Sequence, residues 1–272
     1  EALDNSEGVA WVLFQIGTVY RHKGELNSAL DSWERSIALF EVFGNDLYTS
    51  YPLSGIILLL SLELQDLPQA QKYLSQLQDL HERTPHMVIR HLSLLTEALV
   101  LKQSKRMRDK AQAQVIFQQL ITDKHLWFVW ARIAMVHLCE LLLVEVQSFG
   151  DLDVWDEAKT LIQQLYVQAQ DHHSFSMVVD ALLLRAKVAA IDGDLPQALE
   201  YYKQARLTAE EKGLGLRLQK VDIEQKRFEA EFEKWQSLIQ RNASLQDRLA
   251  QAQLEDYILQ VQKKVAQMKD NT

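Results

Sequence analysis

The side chains that could do chemistry are few and poorly spaced for it. His81 and Glu82 precede His86 and His91, and the histidines recur at intervals of five, whereas two imidazoles sharing a zinc ion from one helix face stand four apart. His172 and His173 are adjacent, in a turn between repeats, and no cysteine set accompanies them. Asp192, Gly193 and Asp194 form a fragment of a calcium loop without the rest of its twelve-residue ligand pattern. Cys139, the single cysteine, lies among Leu138, Leu141 and Leu142, where a thiol packs as a small inert hydrophobe. No glycine-rich phosphate loop, nucleophile elbow or paired-carboxylate motif is present. The expectation is a protein that is not an enzyme and carries neither metal ion nor cofactor.

Two clusters could bind rather than react. Lys102, Lys105, Arg106, Arg108 and Lys110, beside Gln103 and Ser104, could hold phosphate or an acidic segment. They lack interleaved aromatic residues, so a solvated turn is the expected state. Leu126 to Trp130 is the densest aromatic stretch, and Trp anchors dominate interface energetics. Yet Trp127, Trp130 and Ala134 also have the spacing of a buried helical stripe, which is the expected reading.

The elements that must position these residues are helices. The 272 residues include 44 Leu and 28 Gln but only 9 Gly and 4 Pro, too few for the many tight turns of an all-β fold. The 47% hydrophobic and 24% charged residues describe a globular chain, and no uninterrupted apolar run nears the roughly 18 residues of a membrane span. One cysteine fits a reducing, cytoplasmic setting without a disulfide framework. A net charge of −8 disfavours direct nucleic-acid binding. No signal peptide is evident at the start, and a helical pattern there without an initiator Met suggests an excised piece of a longer chain.

An internal repeat organises the chain. Leu13, Ile16, Gly17 and Tyr20 form one helical stripe, Gly24 breaks it, and Ala29, Trp33, Ser36 and Ile37 form a second. The small residue Ala29 recurs as Ala70, Ala113, Ala158 and Ala198, at spacings of 41, 43, 45 and 40. Four residues after each stand Trp33, Leu74, Phe117, Ile162 and Tyr202; seven after stand Ser36, Leu77, Leu120, Leu165 and Ala205. Glu25, Asp66, Asp109 and Asp194 sit four before, near a positive helix N-terminus, with Pro68 and Pro196 in the first turn. Gly44, Pro85 and Gly213 stand fifteen after and end the second helix.

This pattern resembles the tetratricopeptide repeat, a helix–turn–helix unit. The first pair matches that signature at Leu13, Ile16, Gly17, Tyr20, Ala29, Trp33 and Ser36; the fifth matches through Leu182, Ala186, Ala189, Gly193, Ala198, Tyr202 and Ala205. The long period is similar to that of kinesin light chains and of sensor domains in some transcription regulators. The resemblance implies an all-α, right-handed α-solenoid of five helix pairs over residues 1–214. A capping helix over 215–241 and a helical extension over 242–272 follow. Between Leu216 and Met268 there is no Gly or Pro. Either one helix continues through, or Ser244 caps a new one, since Ser244 and Asp247 have capping-box spacing. The seam Leu254, Ile258, Val261, Val265 and Met268 then either pairs as a coiled coil, with another copy or a different chain, or folds back.

Members of that family bind peptides in a concave groove lined by first helices. The resemblance places Trp11, Phe14, Thr18, Arg21, Leu95, Leu99, Lys102, Asp180, Leu183 and Lys187 there. The Lys and Asn that clamp a peptide carboxylate in chaperone-binding members are not matched at Phe14 and Thr18. Trp11 and Phe14 either anchor a ligand or pack on an upstream element. The implied function is a non-catalytic protein-interaction scaffold with a protein or peptide partner and no membrane; the alternative is the ligand- or peptide-sensing domain of a larger regulator.

Overall fold

The computed structural model describes residues 2–252, with the side chains of residues 2–6 left aside. The seam from Leu254 to Met268 lies outside the described residues. The fold is all-α: thirteen α-helices and no strand occur among the described residues. The chain divides into two compact units, Glu1–Trp130 and Ala131–Thr272.

Unit 1 holds α1 (Ala2–Lys23), α2 (Leu26–Val42), α3 (Asp46–Leu59), α4 (Leu67–Arg83), α5 (Met87–Lys102) and α6 (Met107–Thr122). Each packs on its neighbours in sequence, and α3 also packs on α1 and α5. The markers explain the pairing. Ala29, Ala70 and Ala113 have no exposed surface, and Trp33, Leu74, Phe117, Ser36, Leu77 and Leu120 around them are all buried. A methyl side chain at the marker lets second helices approach first helices closely, and the larger residues one and two turns on fill the space beside it.

Trp33 is the clearest case. Its indole lies between two glycines: a Cβ on Gly17 would fall 2.6 Å from its ring, and one on Gly55 would fall 3.0 Å away. The ring Nε1 donates to the Phe14 carbonyl at 3.0 Å, and the Ser36 hydroxyl donates to the Ala10 carbonyl at 2.7 Å. One side chain of α2 thus fixes both α1 and α3.

The joints follow from backbone chemistry. Gly24 and Gly44 take left-handed φ values of 89° and 64°, which admit a residue without Cβ most easily. Asp66 caps α4 by accepting from the Gln69 amide at 3.1 Å, with Pro68 in the first turn. Asp109 instead lies inside α6, whose start at Met107 is earlier than the repeat predicts. Between α3 and α4 a π-helical turn, Leu60–Leu64, ends at Gln65 with φ 53°.

The 19-residue stretch Asp46–Leu64 contains an 18-residue window of mean hydropathy 1.4 and matches a membrane span by length and composition. The sequence reading saw no such run because Pro52, Ser50 and Ser54 interrupt it. Most of its apolar window is buried inside the fold, which accounts for its composition as a core helix.

Asp46 links the start of α3 to the end of α4. Its carboxylate accepts from Arg83 at 2.6 and 2.9 Å and from the Thr84 hydroxyl at 2.5 Å. The Arg83 hydrogen bond holds the Asp46 carboxyl below its ordinary range. A group with a depressed folded pKa stabilises the fold above its unfolded pKa and loses that contribution as pH falls through the folded value. Asp46→Asn is therefore expected to lower the thermal midpoint at pH 7, with the gap from wild type closing as pH falls below about 4. A gap unchanged between pH 7 and pH 2.5 would contradict this.

Unit 2 holds α7 (Phe128–Phe149), which begins at the end of unit 1, then α8 (Leu152–Asp171), α9 (Phe175–Asp192) and α10 (Leu195–Glu211). It is completed by α11 (Gly215–Ala230), α12 (Phe232–Gln240) and α13 (Leu245–Ala252). Ala158 and Ala198 are again fully buried, and Ile162, Tyr202, Leu165 and Ala205 around them are buried too. Asp194 caps α10 through the Gln197 amide, and Gly193, at φ 97°, closes α9. The Asp192–Asp194 segment is thus the turn of its own repeat. His172 and His173 are likewise turn residues at the end of α8.

The region after Leu214 differs from a single capping helix over 215–241. The chain breaks at Glu231 and turns again at Asn242, whose φ is 51°. Ser244 then caps α13, as one sequence alternative held: its hydroxyl meets Asp247 Oδ2 at 2.8 Å and accepts from the Asp247 amide at 3.2 Å. Helix α13 folds back on α9 and α12, and Gln147 donates to the Leu249 carbonyl at 2.8 Å. Ser244→Ala is expected to lose about 1 kcal/mol of local stability. Faster hydrogen exchange over residues 245–252 would report it; unchanged exchange there would contradict the cap.

Candidate functional site

The residues proposed for a groove, apart from Thr18, Arg21 and Lys102, divide three ways. Leu95, Leu99 and Leu183 are fully buried core residues and offer no surface to a ligand. The correction has a physical cause: α5 packs on α3, α4 and α6, and α9 on α8, α10, α11 and α13, so these interior first helices are enclosed on several sides.

Asp180 and Lys187 are tied into ion pairs. Asp180 accepts from Arg217 at 3.3 Å and stands 3.9 Å from Lys220, which also meets Glu140 at 3.6 Å. Lys187 pairs with Glu224 at 3.2 Å. Both Asp180 and Glu224 are buried, so charge pairs taken mostly out of water join α11 to α9. This polar face uses its charges internally. On another side of α9, Arg185 stacks between the rings of Tyr166 on α8 and Tyr201 on α10, 4.4 Å from each centroid.

Trp11 and Phe14 remain, and the structure gives them company that the sequence did not. Their rings are 5.3 Å apart; Trp11 lies 5.7 Å from Tyr48 and 5.6 Å from Tyr51, and Phe14 lies 5.9 Å from Tyr51. Tyr51 continues to Trp130 at 6.1 Å, and Trp130 stacks on Trp127 at 5.4 Å. Helix α1, helix α3 and the start of α7 thus present six rings in unbroken succession within unit 1. Trp127 is 58% exposed, and Trp11 and Tyr48 are each 37% exposed. Burial pushes the Tyr51 phenol up, reinforced by Tyr48, so the Tyr51 ring stays neutral and offers its hydroxyl as a hydrogen-bonding group.

Trp127 corrects the expectation of a buried stripe. Helix α7 begins at Phe128, so helical periodicity does not extend back to Trp127, whose ring lies outward over Trp130. Trp130 and Ala134 are buried as the spacing predicts. Tyr48 and Tyr51 were missed because counting from Ala70 by the register of the first pair reaches Pro52 and Gly55, one turn too late. The π-helical turn changes the register between α3 and Ala70. The signal that could have found them is the i, i+3 aromatic spacing itself, shared with Trp11 and Phe14.

Thr18 and Arg21 are engaged within the chain. The Thr18 hydroxyl donates to the Phe14 carbonyl at 3.1 Å, and Arg21 pairs with Glu63 on the π-helical turn. Lys102 ends α5, and the basic run occupies the α5–α6 turn, where Ser104 donates to Asp109 at 2.5 Å. Lys105, Arg106 and Arg108 are exposed there. Among the described residues, no three His, Cys, Asp or Glu side chains gather as metal ligands would. His91 is buried against Asp123 at 2.9 Å, and Cys139 is buried, which pushes its thiol pKa up.

No protein-family model matches the chain, and no curated protein matches it either.

Proposed function

We propose that the chain is a non-catalytic protein-recognition module, related to the tetratricopeptide repeats, that holds a segment of a partner protein against the aromatic face of unit 1. The observation that carries this reading is the run from Trp11 through Tyr51 to Trp127, with its outermost rings half open to solvent. Rigid aromatic side chains supply large contact area for little conformational entropy, and Trp and Tyr are the commonest interface anchors. The first helices hold the rings in place through the Trp33 wedge, so little is lost to ordering when a ligand arrives.

Quantitative capture tests the reading. Immobilised wild type is compared with Trp11→Ala/Trp127→Ala and with Leu207→Ala, an exposed apolar residue of α10 far from this run in sequence. The proposal expects specific proteins retained by wild type and by Leu207→Ala and lost by the double variant. Capture that is the same for all three folded proteins would refute it.

A further inference from the structure

The aromatic face of unit 1 is built from three ring pairs, each with i, i+3 spacing: Trp11 and Phe14 on α1, Tyr48 and Tyr51 on α3, and Trp127 and Trp130 where α7 begins. Three of these rings carry an indole N–H and two a phenol O–H. Among the described residues, none of the five groups has a hydrogen-bond partner. The Trp33 indole differs, since it donates to the Phe14 carbonyl at 3.0 Å. Tyr51 is half-buried and Trp130 only 9% exposed, yet neither the Tyr51 hydroxyl nor the Trp130 Nε1 is an enclosed atom. All five groups are therefore open to a ligand.

Charge plays no part in the run. Burial and the neighbouring Tyr48 phenol, rather than a charged side chain, shift Tyr51. Two acids close by in sequence are engaged elsewhere: Glu7 accepts from Asn45 at 2.7 Å, and Asp46 holds Arg83 and Thr84. An indole N–H donates and cannot accept. The face thus suits a ligand that is uncharged, rich in acceptors, poor in donors, and apolar enough to lie on rings.

Backbone chemistry narrows the occupant. A helical segment has spent its carbonyls on its own amides. An extended strand of ordinary residues brings an N–H with every carbonyl, and the phenol oxygens are too few to receive them. Proline has a carbonyl and no N–H. In a polyproline II helix the carbonyls have no internal partner, and the pyrrolidine rings give apolar surface. Length agrees as well: the steps from Trp11 through Tyr51 and Trp130 to Trp127 are 5.6, 6.1 and 5.4 Å. About five or six residues of polyproline II, at about 3.1 Å each, cover such a run.

We propose that the aromatic face seats a proline-rich segment of a partner protein in polyproline II form. The indoles of Trp11, Trp127 and Trp130 and the phenols of Tyr48 and Tyr51 donate to its carbonyls, and its pyrrolidine rings lie on the exposed ring faces. Such a segment is stiff before it binds, so little ordering entropy is lost on docking. The inference rests on the recognition proposed above and adds the chemistry of the occupant.

Titration of acetyl-decaproline amide, which carries no charge, into ¹⁵N-labelled protein tests it. The peptide is expected to bind saturably and to move the indole N–H signals of Trp11, Trp127 and Trp130. The Trp33 signal, already hydrogen-bonded, should stay in place. Tyr51→Phe keeps the ring and removes one donor, so binding about 3- to 10-fold weaker is expected. Trp11→Ala/Trp127→Ala should abolish binding, and Leu207→Ala should leave it unchanged. Decaproline that fails to bind wild type, or that binds the double variant equally, overturns the inference. Peptides selected from a random library on wild type then separate the two readings. Ligands that need Trp11 and Trp127 but contain no proline leave the recognition reading standing without this occupant. A library that yields no ligand dependent on those residues ends both.

Discussion

Trp33→Ala is expected to destabilise unit 1 by about 3–5 kcal/mol, the range for deleting a large aromatic from a core that cannot collapse. Three helices meet on this ring. Its faces lie against Gly17 of α1 and Gly55 of α3, it is 2% exposed, and its Nε1 satisfies the Phe14 carbonyl at 3.0 Å. Alanine leaves a void bounded by backbone on two sides, so no neighbouring side chain can fold in to fill it, and the carbonyl loses its donor. Trp33→Phe, which keeps part of the volume and loses the hydrogen bond, should fall between wild type and alanine. Gly17→Ala probes the same contact from the other side: its methyl would overlap the indole, and overpacking of this kind costs about 1–3 kcal/mol against a helix-propensity gain of about 1. Urea denaturation followed by far-UV circular dichroism measures all three. A Trp33→Ala loss below about 1 kcal/mol would contradict the wedge.

Asp180→Ala is expected to destabilise unit 2 by about 3 kcal/mol, the lower end of the range for removing one member of a buried ion pair. Asp180 is 7% exposed and faces both Arg217 and Lys220, the latter also paired with Glu140. The penalty comes from stranding the Arg217 guanidinium away from water rather than from lost volume. Asp180→Asn, which keeps the shape and drops the charge, should therefore lose most of the same stability. Asp180→Leu combined with Arg217→Met should recover much of it, because a buried pair replaced by apolar residues of similar size is often neutral. If Asp180→Asn were as stable as wild type, the charge pairing would not be what holds α11 to α9.

What the sequence revealed and what it hid divide along physical lines. Close helix approach demands a small residue at a fixed place, so Ala29, Ala70, Ala113, Ala158 and Ala198 announced the second helices, and all five are fully buried. Backbone joints also leave marks: Gly24, Gly44, Gly193 and Gly213 all take positive φ, and Ser244 with Asp247 marked the start of α13. Exposure was harder to read. Leu95, Leu99 and Leu183 were placed on a surface because their register matched it, but burial of a first helix depends on how many neighbours enclose it, which a single repeat does not encode. Trp127 erred the other way, since its outward ring depends on where α7 begins. The pairs Asp180–Arg217 and Lys187–Glu224 each join residues 37 apart, near one repeat length, so the periodicity that located the helices could also have located these bridges.

The exposed rings of unit 1 bear the functional claim. A ligand that docks on them should lose most of its affinity when Trp11 and Trp127 are truncated together, because interface anchors of this type contribute about 2 kcal/mol or more. The most direct measurement is calorimetric titration of a peptide selected from a random library on wild-type protein. The account predicts binding at least ~30-fold weaker to Trp11→Ala/Trp127→Ala and unchanged for Leu207→Ala. Equal affinity for wild type and the double variant, with both proteins folded, would contradict it.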